Sequence, residues 1–150
     1  MAASPAELLV AEVARLFPSY LEDPVNRTNS GGCAALVVIG ADGALHGRLF
    51  GEDKVRMRRY HGIASRKAAQ VWATGYATER FEQLVFSGAL DEKQFGLERP
   101  DFVGWKGGVP LQAADGRRIA AGFSGFPGVK DVEIIERAAA GIPGLAVRRD

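Results

Sequence analysis

Two segments of this chain reverse direction at an Asp-Gly step, and together they constrain its fold more than any other feature. Ala41-Asp42-Gly43 separates the apolar run Cys33-Ala34-Ala35-Leu36-Val37-Val38-Ile39 from a second stretch in which Leu45, Gly47 and Leu49 alternate with His46, Arg48 and Phe50. Ala114-Asp115-Gly116 divides residues 108–113 from 118–124 in the same way. Turns this short join neighbouring antiparallel strands. Neither segment contains the long crossover that parallel strands require. The pattern therefore predicts an antiparallel sheet with helices packed on it, an α+β architecture.

The helical stretches are set out around these hairpins. Ser4 can cap a helix, Pro5 suits its first position and Glu7 completes a capping box. Leu9, Val13, Leu16, Phe17 and Tyr20 then recur at helical spacing until Asp23-Pro24, after which 26–32 reads as polar loop. Residues 54–75 form a long helix with Met57, Ala64, Ala68, Val71 and Trp72 on one stripe and Gly75 as terminator. Thr78 to Phe86 has periodicity compatible with a short helix or a strand. Ser87 to Gly104 reads mostly as loop, with Phe95, Leu97 and Phe102 among charges, and a loop of that length points to a lid or an interface. Asp131 to Ala140 is a final helix with Val132, Ile135 and Ala139 inward, stopped by Gly141-Ile142-Pro143-Gly144. At 150 residues, without repeats or low-complexity segments, the chain is expected to form one domain over 1–150.

Composition narrows the partners. A net charge of +1 offers no general attraction to nucleic acid or to an anionic membrane. No segment reaches the roughly 18 apolar residues of a membrane span, and the first residues lack a signal-peptide pattern, so a cytoplasmic location is the expectation. The one cysteine, Cys33, excludes thiolate-rich metal sites and lies in an apolar run that favours a buried, inert thiol.

At the second hairpin a resemblance emerges. Gly107-Gly108-Val109-Pro110-Leu111, Asp115-Gly116, Ala121-Gly122-Phe123-Ser124-Gly125 and the Asp131 that follows are similar to the GlcG/HbpS family, which includes the C-terminal domain of PduO-type proteins. Ser65-Arg66-Lys67-Ala68-Ala69 resembles the family's helix before that loop. The likeness spans about residues 31–140. It implies a profilin-like antiparallel sheet of about five strands flanked by helices, and a homo-oligomer between dimer and octamer. It also implies a small-molecule ligand, with haem as a candidate cofactor in some members. Asp131-Val132 stands where the family often has an acidic pair, and 76–104 is longer and more aromatic than expected of haem-binding members.

Several residues are candidates for the chemistry. Gly107 and Gly108 either let a ligand approach the backbone or simply permit a tight start to the strand. Trp105 offers a stacking face and Lys106 a charge. Ser124 precedes a strand-loop-helix junction suited to an anion. Asp131 is a candidate N-cap and, if a pocket opens beside it, a general base. His61 is the most informative of these. It projects near Arg58 and Ser65 on the long helix and is a candidate core or interface histidine, acid–base residue or, if haem is bound, iron ligand. Arg58 could hold a carboxylate. His46 is expected to be exposed, and the wide separation of the two histidines argues against a multi-histidine metal site. Two functions remain open. One is a ligand-binding protein for haem or another flat carboxylated molecule. The other is a metal-independent enzyme (lyase, isomerase or cyclase type) that moves protons on a small carboxylated or carbonyl metabolite.

Overall fold

A computed structural model describes residues 2–98 and 100–149. Five strands form one sheet: β1 (Ala34–Ile39), β2 (Leu45–Phe50), β3 (Gly108–Gln112), β4 (Arg118–Ser124) and β5 (Ala146–Val147). Their order is β2-β1-β4-β3-β5, and every neighbouring pair is antiparallel. Each Asp-Gly step closes a hairpin, and the hairpins join through β1 and β4, where Val37 lies opposite Gly122.

Alternation along the strands sorts the helices into two layers. Leu36, Val38, Ile119, Ala121 and Phe123 face the larger core, built with α1 (Pro5–Tyr20) and α5 (Gly128–Ala140). There Phe17 stacks on Phe50 with ring centroids 4.4 Å apart and on Phe126 at 5.6 Å. Each such buried side chain contributes about 1.5–3 kcal/mol relative to exposure. Val37, Ile39 and Ala120 face the other way, toward Ala68, Val71 and Trp72 of α3 (Lys54–Thr74). Gly122 brings α3 onto the sheet, because a Cβ there would collide with the Ala64 carbonyl and the Ala68 amide.

The Ser4 cap forms as expected, its side chain accepting from the Glu7 amide. So does the end of α3 at Gly75, which takes φ +78°. Two boundaries differ, and one segment left open between helix and strand is decided. Residues expected as loop after Asp23 instead form α2 (Pro24–Ser30), with Asp23 accepting from the Val25 amide and Gly31 closing the end at φ +63°. Asp23-Pro24 therefore begins a helix as well as following one. Thr78–Phe86 is a helix, α4, and a single 3-10 turn at Glu92–Phe95 follows it. The last helix starts at Gly128, three residues earlier than expected, so Asp131 is not its N-cap: Pro127 holds that place, with no side-chain cap bond. Among the described residues, no helix is long and apolar enough to cross a membrane.

Candidate functional site

The loop between α4 and β3 is fixed from two sides. Gln70 of α3 donates to the Val103 carbonyl at 2.8 Å and accepts from the Val103 amide at 2.7 Å. Thr78, fully buried at the start of α4, donates to the Trp105 carbonyl and accepts from the Gly108 amide at 3.2 Å. Lys106 then lies against the first turn of α5, where a Cβ on Gly128 would stand 3.0 Å from the Lys106 Cβ. Trp105 remains 57% exposed, with the Arg66 guanidinium 6.0 Å from its ring centroid.

These restraints enclose a pocket of about 460 Å³ between α3, the 104–107 loop and the β4–α5 junction. Trp105, Lys106, Ser124 and Asp131 all line it, four of the residues singled out from the sequence. Arg59, Asn29 and Lys67 complete its polar wall. Asn29 comes from α2 and is held by a 2.9 Å bond from its side-chain amide to the Gly125 carbonyl. The uncapped start of α5 reaches the same pocket through Pro127 and Gly128, which gives it a positive helix end.

At the base of the pocket lies a buried ion pair that sequence reasoning did not find. Lys67 Nζ donates to the Phe123 carbonyl at 2.8 Å and to Asp131 Oδ2 at 3.5 Å, and Asp131 Oδ1 accepts from the Phe126 amide at 2.9 Å. Lys67 is 2% exposed and Asp131 3%. Burial, which disfavours charge, pushes the Asp131 carboxyl up to about 7 against the opposing pull of Lys67 and the Phe126 amide. Burial likewise lowers Lys67, with Asp131 acting in the opposite sense. Two groups displaced toward each other in this way can exchange a proton within the pair. The burial of Lys67 follows from the spacing Ala64, Lys67, Ala68, Val71, the stripe of α3 that meets the sheet.

The remaining predicted residues lie elsewhere. Gly107 and Gly108 are buried, and the close approach they permit is by protein. A Cβ on Gly107 (φ +124°) would stand 2.5 Å from the Phe123 carbonyl and 2.7 Å from Lys67 Nζ, and one on Gly108 would stand 2.5 Å from Thr78. Arg58 is exposed and lines neither this pocket nor the groove described next; its neighbour Arg59 takes the expected place. His61 is exposed rather than part of the core. With Ser65, whose hydroxyl is 3.4 Å from its Nε2, it borders a separate groove of about 600 Å³ over the β1–β2 hairpin. Val37, Ile39, Leu45 and Leu49 give that groove apolar walls. His46, half-buried rather than exposed, reaches this groove only along its strand: its ring lies on the opposite face of the sheet, near Gly40 and Ala6, so the two histidines do not share one surface. Among the described residues, no group of three or more His, Cys, Asp or Glu side chains could hold a metal ion.

The aromatic residues of 76–104 pack on one another instead of lining either cavity. Phe81 meets Phe95 and Phe102 edge-on at 5.7 and 5.5 Å, forming a small second core with Val85, Leu90 and Leu97.

Residues 27–140 match the model of a family described as haem degrading protein, HbpS-like. Among solved structures, the chain is similar to a PduOC:heme complex, with 20% identity and a TM-score of 0.64 over 97% of this chain and 98% of that one. It is also similar to a double mutant of HbpS from Streptomyces reticuli, with 16% identity and a TM-score of 0.60 over 93% and 88% of the two chains. A third likeness is to the protein ORFY from Klebsiella pneumoniae, at 17% identity and a TM-score of 0.57 over 84% of each chain. At these identities the structural likeness concerns the fold. No curated protein matches the chain in sequence.

Proposed function

The chain belongs to the HbpS-like family of haem-degrading proteins, and we propose that it is a small-ligand-binding protein whose pocket at Trp105, Lys106 and Asp131 takes a flat carboxylated molecule. One observation carries this reading: an exposed indole, two cations (Arg59 and Lys106) and an uncapped helix start converge on a single pocket of about 460 Å³. A planar ligand stacks on Trp105, while its carboxylate is held by Arg59, Lys106 and the first-turn amides of α5. Calorimetric titration with terephthalate tests it. Trp105→Ala and Arg59→Ala are each expected to weaken binding about tenfold or more, the loss of one stacking or charge-assisted contact. Equal affinity in wild type and both variants would contradict the assignment.

Haem is a second reading, and its residues lie in the other cavity. Among the described residues, the pocket at Trp105 presents no histidine, cysteine, methionine or tyrosine to an iron. The groove beside β2 offers part of what the group needs: His61 an imidazole, and Leu45 and Leu49 an apolar wall. Bound there, haem would supply an iron centre, and the protein's part would be ligation and apolar shielding. Haem titration of wild type, His61→Ala and His46→Ala decides the matter. A Soret shift lost in His61→Ala and kept in His46→Ala supports this reading, and no shift in wild type removes it.

A further inference from the structure

We propose that Lys67 is a carbonyl-reactive amine, so that a flat ligand carrying both a carboxylate and an aldehyde or ketone forms an imine with Lys67 Nζ. This rests on the pocket assigned above. It adds a reaction to what would otherwise be a binding site.

Four features of the site support it. Lys67 lies at the base of the same pocket whose wall carries Arg59 and Lys106, the cations that would anchor a carboxylate. Its two oxygen partners, the Phe123 carbonyl at 2.8 Å and Asp131 Oδ2 at 3.5 Å, match the two N–H bonds of a neutral amine and leave its lone pair unengaged. Gly107 lets the loop pass close beside the nitrogen without a side chain to block it, since a Cβ there would stand 2.7 Å from Nζ. Finally, a buried ion pair is poorly explained by stability, because an apolar pair of similar size commonly serves a fold as well or better. The shifts of both groups toward neutrality agree with this geometry.

The balance is simple. The Nζ lone pair attacks the carbonyl carbon, and the C=O π electrons move to oxygen. Asp131 carries one proton from the nitrogen to the alkoxide, giving the carbinolamine, and then relays the second N–H proton to its hydroxyl, which leaves as water as the C=N bond forms. No electrons are gained or lost. The expected substrate class is an aromatic or conjugated aldehyde-acid or keto-acid.

The test uses the full chain, para-formylbenzoate and sodium cyanoborohydride at neutral pH, with peptide mapping of the reduced adduct. The other lysines, Lys54, Lys93, Lys106 and Lys130, are all more accessible than Lys67, so indiscriminate chemistry would label them first. The expected result is an adduct on Lys67 about tenfold or more above any other lysine, reflecting a positioned reaction, and suppressed by terephthalate. Lys106→Gln should weaken labelling at Lys67 without moving it. Terephthalate binding with label spread over exposed lysines, or centred on Lys106, would overturn the imine and leave the pocket assignment standing. Absence of both terephthalate binding and Lys67 labelling would overturn both. Because the map is read on wild type, the result does not depend on whether Lys67→Met folds.

Discussion

Asp131 illustrates what one residue's surroundings decide. The sequence places it near the start of a helix, where a capping role is natural, and only the observed start at Gly128 turns its side chain inward onto Lys67 and the Phe126 amide. Its partner is 64 positions away, so local spacing carries no sign of the pair. The pair has a consequence for pH. Burial raises the Asp131 carboxyl to about 7, so the folded chain keeps a proton that the unfolded chain has already released. The stabilisation this gives is complete below the unfolded carboxylate's titration near pH 4 and is lost as the pH rises through about 7. Lys67, shifted down, has the opposite sign: its contribution is present in the alkaline range and is lost as the pH falls through its folded value. Relative to Asp131→Asn, which does not titrate, wild type should therefore lose stability between pH 4 and 7, by roughly 4 kcal/mol at most. Urea denaturation at several pH values checks this, and a relative gain across that interval would contradict it.

The hairpins, the long helix and the first helix were legible because each carries its own stop and start signals. Misreadings arose where one signal serves two elements. Asp23-Pro24 looks like the end of α1, yet Asp23 caps α2, and that helix brings Asn29 to the pocket. The 76–104 segment hid its structure for another reason. Its aromatic residues satisfy one another in a separate small core, so no single face shows a sheet or helix pattern throughout. The 102–108 loop depends on Gln70, whose side chain is buried and doubly bonded to Val103. Gln70→Leu leaves both Val103 backbone groups without partners, and should cost about 1–3 kcal/mol for each group that water cannot reach. Hydrogen exchange at 102–108 should quicken more than in the sheet. Unchanged protection there would mean that Thr78 alone holds the loop.

At the scale of the whole molecule, the α+β class followed from the hairpins, whereas their joining through β1 and β4 did not, because nothing local specifies which strands meet. That joining puts α3 across the middle of the sheet. It also separates two cavities: His61 and Ser65 border the β1–β2 groove, while Trp105, Lys106, Ser124 and Asp131 surround the other. It also leaves β2 at a sheet edge, with Leu45 74% and Leu49 44% exposed. An unpaired edge carrying apolar side chains favours self-association, so light scattering should find a species larger than the 16.0 kDa chain, and Leu45→Lys should reduce it. A 16.0 kDa species alone would contradict that. The central claim, that the pocket at Trp105 is where a flat carboxylate binds, is tested most directly by amide NMR during a terephthalate titration. The account predicts saturable shifts at residues 104–107 and 124–131 and along Arg59 to Lys67, with the β2 signals unmoved. Shifts confined to Leu45, His46, Leu49 and Ser65, or no saturable shift at all, would contradict it.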